Sequence, residues 1–266
     1  MKSTTAITLA WLLACCCTTV ATPADAQAIT VVTENTPQSF RQNGRVAGRA
    51  TEVVEQTLQR AGLTDYRIDI YPWARAQDLA LREPNVLIYL IARTAERESQ
   101  FHWVGEVLRI RYFLYALPDR GDLDVLQLDD ARTRTIGVVR DDVRHQYLQR
   151  QGFTRLVVSS QPMENLRTLL HRQVDLVPMT ELEAATLCQD ARPDCTGLTR
   201  LAPLDDLRFG LYMALSAATP KDVAARAGAA FESLRADGTL ARIMGRPTAT
   251  PAAAATSSAG PKRPPN

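Results

Sequence analysis

The strongest constraint on this chain's fold is an alternation of strand-like and helix-like patterns that runs once and then starts again. Residues 29–33, ITVVT, are a β-branched run. Gly48 precedes a helical spacing of Val53, Val54, Leu58 and Ala61 that stops at Gly62. Residues 66–71 alternate as a strand does, and 73–82 read as a helix halted before Pro84. Residues 85–92, NVLIYLIA, are almost wholly apolar, as strands covered on both faces of a parallel sheet are. Thr94 is placed to cap a short helix, and 111–117 form another strand. The pattern then restarts. Residues 135–139 predict a strand, 141–151 a helix ending at Gly152, and 155–159 a strand. Ser160 caps a helix with Met163, Leu166, Leu169 and Leu170 on one face. A strand at 174–179, a helix at 181–190 and a long strand at 208–216 follow. Thr219-Pro220, an N-cap followed by proline at the first helical position, opens a helix to about residue 236. Asp237-Gly238 ends it, and a last helix spans 240–244.

Two such series predict an α/β protein of two lobes, each a mainly parallel sheet flanked by helices. The boundaries read as lobe one at 29–118, lobe two at 119–213, and a return of 214–246 to lobe one. The chain then crosses between the lobes twice, through a hinge.

The two ends are of another kind. Lys2 is followed by an uncharged run from Ala6 to Ala21 and by A-x-A sites ending at Ala26 and Ala28. That order reads as a secretory signal over residues 1–28, cut after Ala26 or Ala28. The uncharged run is too short to span a bilayer. Leu12-Leu13-Ala14-Cys15 also loosely resembles a lipoprotein box, which would anchor the chain at Cys15. Either route leads out of the cytoplasm, and the expected location is the periplasm. Residues 247–266 are rich in Pro, Ala, Ser and Thr without a large apolar residue, the composition of a disordered tail.

Export changes the meaning of the cysteines. Cleavage at an A-x-A site leaves Cys188 and Cys195, seven residues apart. In an oxidising compartment they are expected to form a disulfide, with two free thiols as the alternative. His102, His145 and His171 are scattered and no metal-ligand spacing occurs, so neither metal nor cofactor is expected. Net charge is only +2, and all but three of the 31 basic residues are arginine. This balance argues against a nucleic-acid partner.

Several segments, in order, resemble the bacterial extracellular solute-binding proteins of family 3, the polar amino-acid type. Thr33-Glu34-Asn35 with Phe40, Gly44 and Gly48 resembles the family's opening. Tyr71-Pro72-Trp73-Ala74-Arg75-Ala76 resembles its "pW.ra" segment. Residues 93–97 followed by Phe101-His102-Trp103 resemble "T..R...f.w". Residues 135–140 resemble the "iGvv.g" strand that opens the second lobe, and 171–175 resemble "l..G.vDa". Phe231 with Asp237-Gly238-Thr239 resembles the C-terminal element.

The resemblance implies a two-lobed periplasmic binding protein fold of type II. It implies a monomer that captures a small solute between its lobes and delivers it to an ABC importer. It also implies site residues. Arg97 matches the arginine that forks onto a ligand α-carboxylate, a geometry a guanidinium satisfies with two parallel hydrogen bonds. Arg93, four residues earlier, shares its face if the segment is helical. Glu34 lies beyond the first strand, where open α/β sheets bind ligands. Trp73 is a candidate wall, and Trp103 a weaker one. Arg140 and Asp141 take the equivalent place in lobe two, with a helix cap as the alternative for Asp141 and Asp142. Thr180 stands where the family's ammonium-binding aspartate falls, Glu181 beside it, and Leu90 and Ala92 replace small hydroxyl residues. The expected ligand is anionic or zwitterionic, an amino acid or another carboxylate-bearing metabolite. The expected role is not enzymatic. The alternatives are an enzyme of the cyclohexadienyl-dehydratase kind on the same scaffold, or a sensing module for a membrane receptor.

Overall fold

The computed structural model describes residues 28–246. The expected signal and the residue 247–266 tail lie outside the described residues, apart from Ala28. The first half contains β1 (Ile29–Thr33), a hairpin of β2 (Phe40–Gln42) and β3 (Arg45–Ala47), and α1 (Arg49–Arg60). It continues with β4 (Tyr66–Ile70), α2 (Trp73–Arg82), β5 (Val86–Ala92), a 3₁₀ turn (Ala95–Gln100) and β6 (Phe101–Ala116). The second half has β7 (Ile136–Val139), α3 (Val143–Arg150), β8 (Leu156–Ser159), α4 (Pro162–Leu170), β9 (Val177–Met179) and α5 (Glu181–Asp190). It ends with β10 (Thr199–Ser216), α6 (Lys221–Ala236) and α7 (Thr239–Met244).

The main sheet has the order β4-β1-β5-β10-β6-β9. The first three strands are parallel, as expected of the apolar run in β5, and β7 pairs β8 in parallel. The crossing strands β6 and β10 are antiparallel to each other and join the lobes. With 16 and 18 residues they are long enough to serve both. β10 pairs β5 over Leu211–Leu215, while β6 pairs β9 over Phe113–Tyr115. One parallel bridge, Ile136 to Leu176, links β7 to the segment entering β9.

Each lobe has its own core. Val31, Val54, Leu58, Tyr89 and Leu215 pack with Phe231 and Leu234 of α6, so the C-terminal helix lies on the first lobe. Gly105 of β6 permits this, since a Cβ there would sit 2.0 Å from the Phe231 ring. Leu114, Ile136, Val138, Leu148 and Leu176 form the second-lobe core.

Both crossing strands begin earlier than the sequence predicts, β6 at Phe101 and β10 at Thr199. Their mutual pairing shifts register at four places, one of them between Arg200 and Pro203 and another between Leu204 and Arg208. Those breaks interrupt the period-two pattern that would reveal a strand. The hairpin β2–β3 was not expected either, although Asn43-Gly44 at its turn has the positive φ values, 50° and 78°, of the favoured hairpin connection. Gly48 follows with φ 122°, and a Cβ there would lie 2.2 Å from the Gln38 carbonyl oxygen. α6 starts one residue later than expected, with Pro220 at the N-cap position. The Thr219 hydroxyl instead accepts from the Asn85 N–H at 3.1 Å and pairs with Ser216 Oγ. Cys188 and Cys195 are joined by a disulfide. Among the described residues no helix is long and apolar enough to cross a membrane.

Candidate functional site

Burying β1 and β5 side by side brings their carboxyl ends to the gap between the lobes. Glu34 follows β1, and Leu90 sits near the end of β5. The turn after β5 carries Arg97, and Trp73 begins α2. From the second lobe come the start of α3 (Asp142, Arg144) and the start of α5 (Thr180, Glu183). The floor is β6, residues 108–113. Glu34, Leu90, Arg144, Thr180, Glu183 and the β6 floor line a chamber of about 560 Å³, within the usual range for small-molecule sites. A small recess of about 20 Å³ adjoins it, walled by Trp73, Arg97 and Asp142, with room for about one water. Glu34, Leu90, Tyr112, Arg144 and Leu211 line both.

Leu90 occupies a bulge. Across β10, Tyr212 opposes Ile91 and Met213 opposes Tyr89, so Leu90 is the unpaired extra residue. Its φ is 62°, in the left-handed region that a leucine adopts only at a cost. Bulges of this kind re-aim a side chain, and this one turns Leu90 to the cavities. The neighbouring Tyr89 hydroxyl meets Ser39 and Thr51, both at 2.9 Å, and fixes the turn after β1.

Arg97 is 2 % exposed. Its guanidinium lies 5.6 Å from the centre of the Trp73 ring. One terminal nitrogen donates to the Ala92 carbonyl at 3.3 Å, and the other to Gln146 of the second lobe at 3.4 Å. Its Nε is shielded and has no partner. Burial lowers its pKa, although Asp142 and Glu96 partly oppose this. Glu34 is a second orphan, with Gln77 Oε1 of α2 a third outside the cavities: the Glu34 Oε2 is shielded from solvent and accepts no hydrogen bond. Burial pushes the Glu34 carboxyl up to about 8, with Arg144 pulling down and Asp142 and Glu183 pushing further up.

The second lobe's polar groups are instead consumed among themselves. Arg144 is 4 % exposed and stacks over Tyr112. Its Nε donates to Asp142 at 2.5 Å, and a terminal nitrogen donates to the Pro178 carbonyl and to Glu183 at 3.1 and 3.3 Å. Burial alone would lower the Arg144 pKa, but Asp142 and Glu183 hold it well above the ordinary arginine value. Asp142 also caps α3 by accepting from the His145 N–H. Thr180 and Glu183 cap α5 reciprocally.

Of the expected site residues, the structure brings together Arg97, Glu34 and Trp73, with Thr180 on the chamber wall. It departs from the others. Arg93 does not share a face with Arg97, because Thr94 is extended and the helical turn begins only at Ala95. Arg93 lies instead on an exposed face, bound to Glu98 and between the Trp103 and Tyr212 rings. Trp103 packs there too. Arg140 is exposed, and its backbone N–H donates to Ser159. The Asp141 side chain is also 59 % exposed, but its carbonyl accepts from Trp73 Nε1 at 3.1 Å, a bond between the lobes. Thr180's hydroxyl is used by its cap. Arg144, Tyr112 and Glu183 were not anticipated. Only the i, i+2 pair Asp142–Arg144 is visible locally, whereas Glu183 lies 39 residues from Arg144. Among the described residues no group of three or more His, Cys, Asp or Glu is placed to hold a metal ion.

Comparison with known proteins places this geometry. No family model matches the chain, and no curated protein does. Solved structures match well. A histidine kinase sensor domain with similarity to periplasmic binding proteins superposes with a TM-score of 0.72 at 20% identity, over 82% of this chain and 95% of that one. An ancestral arginine-binding protein bound to arginine gives 0.70 at 15% identity, over 82% and 96%. ArtJ of Geobacillus stearothermophilus, an arginine-, lysine-, histidine-binding protein, gives 0.69 at 16%, over 82% and 94%. The fold is therefore that of the two-lobed periplasmic binding proteins.

Proposed function

We propose that the chain is exported to the periplasm and works there as a non-catalytic solute-binding protein of the family 3 type. A small solute, an amino acid or another carboxylate-bearing metabolite, enters between the lobes. The lobes close over it, and the closed form docks on an ABC importer. The fold supports this, and so do neighbours that include the arginine-binding proteins and a glutathione importer component of Streptococcus mutans, GshT.

The observation that carries the reading is the orphaned Nε of Arg97. A buried donor without an acceptor costs about 1–3 kcal/mol, and a ligand carboxylate offers that acceptor. Trp73 supplies a wall, and its bond to the Asp141 carbonyl is a latch that only an approach of the lobes can form.

Isothermal titration of the purified chain against a metabolite panel, with small-angle scattering for closure, tests this. Binding of at least one solute with a reduced radius of gyration supports it. No heat and no compaction with any solute rejects it. The sensor-domain neighbour supports a second reading, in which the ligand state is passed in trans to a membrane receptor. Capture of a permease by the liganded chain favours the importer; capture of a receptor kinase favours the sensor.

A further inference from the structure

The chamber itself narrows the solute, on the premise that this cleft captures one. Two buried acidic groups, Asp142 and Glu183, and the half-buried Glu34, whose Oε2 is shielded, border the chamber and its recess with two buried guanidinium groups, Arg97 and Arg144. Arg144 holds both Asp142 and Glu183. Glu34 is left over, and it lines the chamber, the recess and a third cavity beside Tyr71 and Met163. The other arginines of the chamber wall are exposed and engaged elsewhere, Arg109 with Glu106, Arg111 with Asp205 and Arg200 with Glu181, so none of them donates to the shielded Glu34 Oε2, and a ligand's cationic nitrogen would supply that donor. Much of the chamber wall is apolar: Leu90, Leu108, Ile110, Phe113, Leu182 and Leu211. A polar side chain in contact with that wall would be desolvated without compensation.

We propose that the solute is an amino acid with a large apolar side chain, or a close derivative of one, whose ammonium group meets Glu34 and whose side chain lies against the Leu108–Ile110–Phe113 wall. Its carboxylate end falls to Arg97. This differs from the polar ligand that the sequence resemblance implies.

Proton release follows. In the empty cleft Glu34 is kept protonated by burial, with Asp142 and Glu183 reinforcing this and Arg144 opposing it; Tyr112 and Arg97 also face the site. An arriving ammonium converts the Glu34 carboxyl to a carboxylate, and the proton leaves to solvent. Near pH 7, about one proton is released per ligand bound.

The test is isothermal titration of the full chain with phenylalanine, leucine, glycine, glutamate and 3-phenylpropionate, each in two buffers of different ionisation enthalpy. Phenylalanine or leucine is expected to bind at least tenfold more tightly than glycine, glutamate and the deaminated acid, with proton release. Glu34→Gln, shown to be folded by circular dichroism, should abolish both the release and the preference for the amine. Glutamate or 3-phenylpropionate binding as tightly as phenylalanine would overturn the assignment while leaving solute capture intact. Absence of binding by every probe also overturns it; if the wider metabolite panel is then silent too, the capture reading falls with it.

Discussion

The two lobes meet the same cleft with opposite chemistry. The first presents two titratable groups with shielded atoms that lack a hydrogen-bond partner, Arg97 Nε and Glu34 Oε2. The second presents Arg144, Asp142, Glu183 and Thr180, already committed to one another and to two helix caps. The difference teaches that burial alone does not mark a binding residue. Arg144 and Arg97 are almost equally buried, yet one holds a lobe together and the other waits for an acceptor. On the proposed function, the first lobe would recognise the solute and the second would cover it.

The sharpest way to break this comparison is to remove Arg144. Arg144→Ala strands Asp142 and Glu183 in the interior, and breaking a buried pair from one side costs about 3–5 kcal/mol. Thermal denaturation should show a large drop; an unchanged melting temperature would make Arg144 as free as Arg97. The second lobe's disulfide comes next. Cys188→Ser with Cys195→Ser should cost about 2 kcal/mol in denaturant unfolding by lifting a constraint on the unfolded chain, and reduction of the native chain should add two hydrogens to its mass.

Glu34 tests the first lobe through pH. Its folded carboxyl titrates near 8 against 4.5 without the fold, so the Glu34 contribution is most favourable below 4.5 and is lost as pH rises towards 8, opposite in sense to carboxyls such as Asp122 and Asp237 that the fold shifts down. The slope is at most about 1.4 kcal/mol per pH unit. Glu34→Gln should flatten it, leaving the variant more stable than the native chain at pH 8 and equal at pH 4. A parallel dependence in both proteins would show Glu34 to be solvated. Arg97→Ala should weaken solute binding at least tenfold, about 1.4 kcal/mol, with little loss of stability. The smallest effect belongs to Arg93→Ala, which removes an exposed pair with Glu98: under about 0.5 kcal/mol in stability, and affinity within twofold. A larger loss of affinity would return Arg93 to the site.

Much of the architecture was legible in the chain. The apolar run of β5 and the restart at Thr135 set out the parallel strands and two lobes, because their period reports burial directly. That Glu34 lies at the cleft was legible because the ends of parallel strands converge on one edge, whereas Arg97 was found only through the resemblance of residues 93–97 to the family's segment. The remainder was hidden for physical reasons. β6 and β10 shape each other through shifted registers, so neither carries a clean pattern alone. Leu90 reads as one more core residue in an apolar run, and only its pairing with β10 exposes the bulge. The Arg144 network depends on Glu183, brought from a helix far along the chain. Arg93 was misplaced because one extended residue, Thr94, separates it from the turn that carries Arg97.

The most direct test of the central claim, that the first lobe's unsatisfied Arg97 holds a captured solute, is native mass spectrometry of the chain and of Arg97→Ala, purified side by side without denaturation. The account predicts a bound metabolite on the native chain that is absent from Arg97→Ala. The same bound species at equal occupancy on both proteins would contradict it.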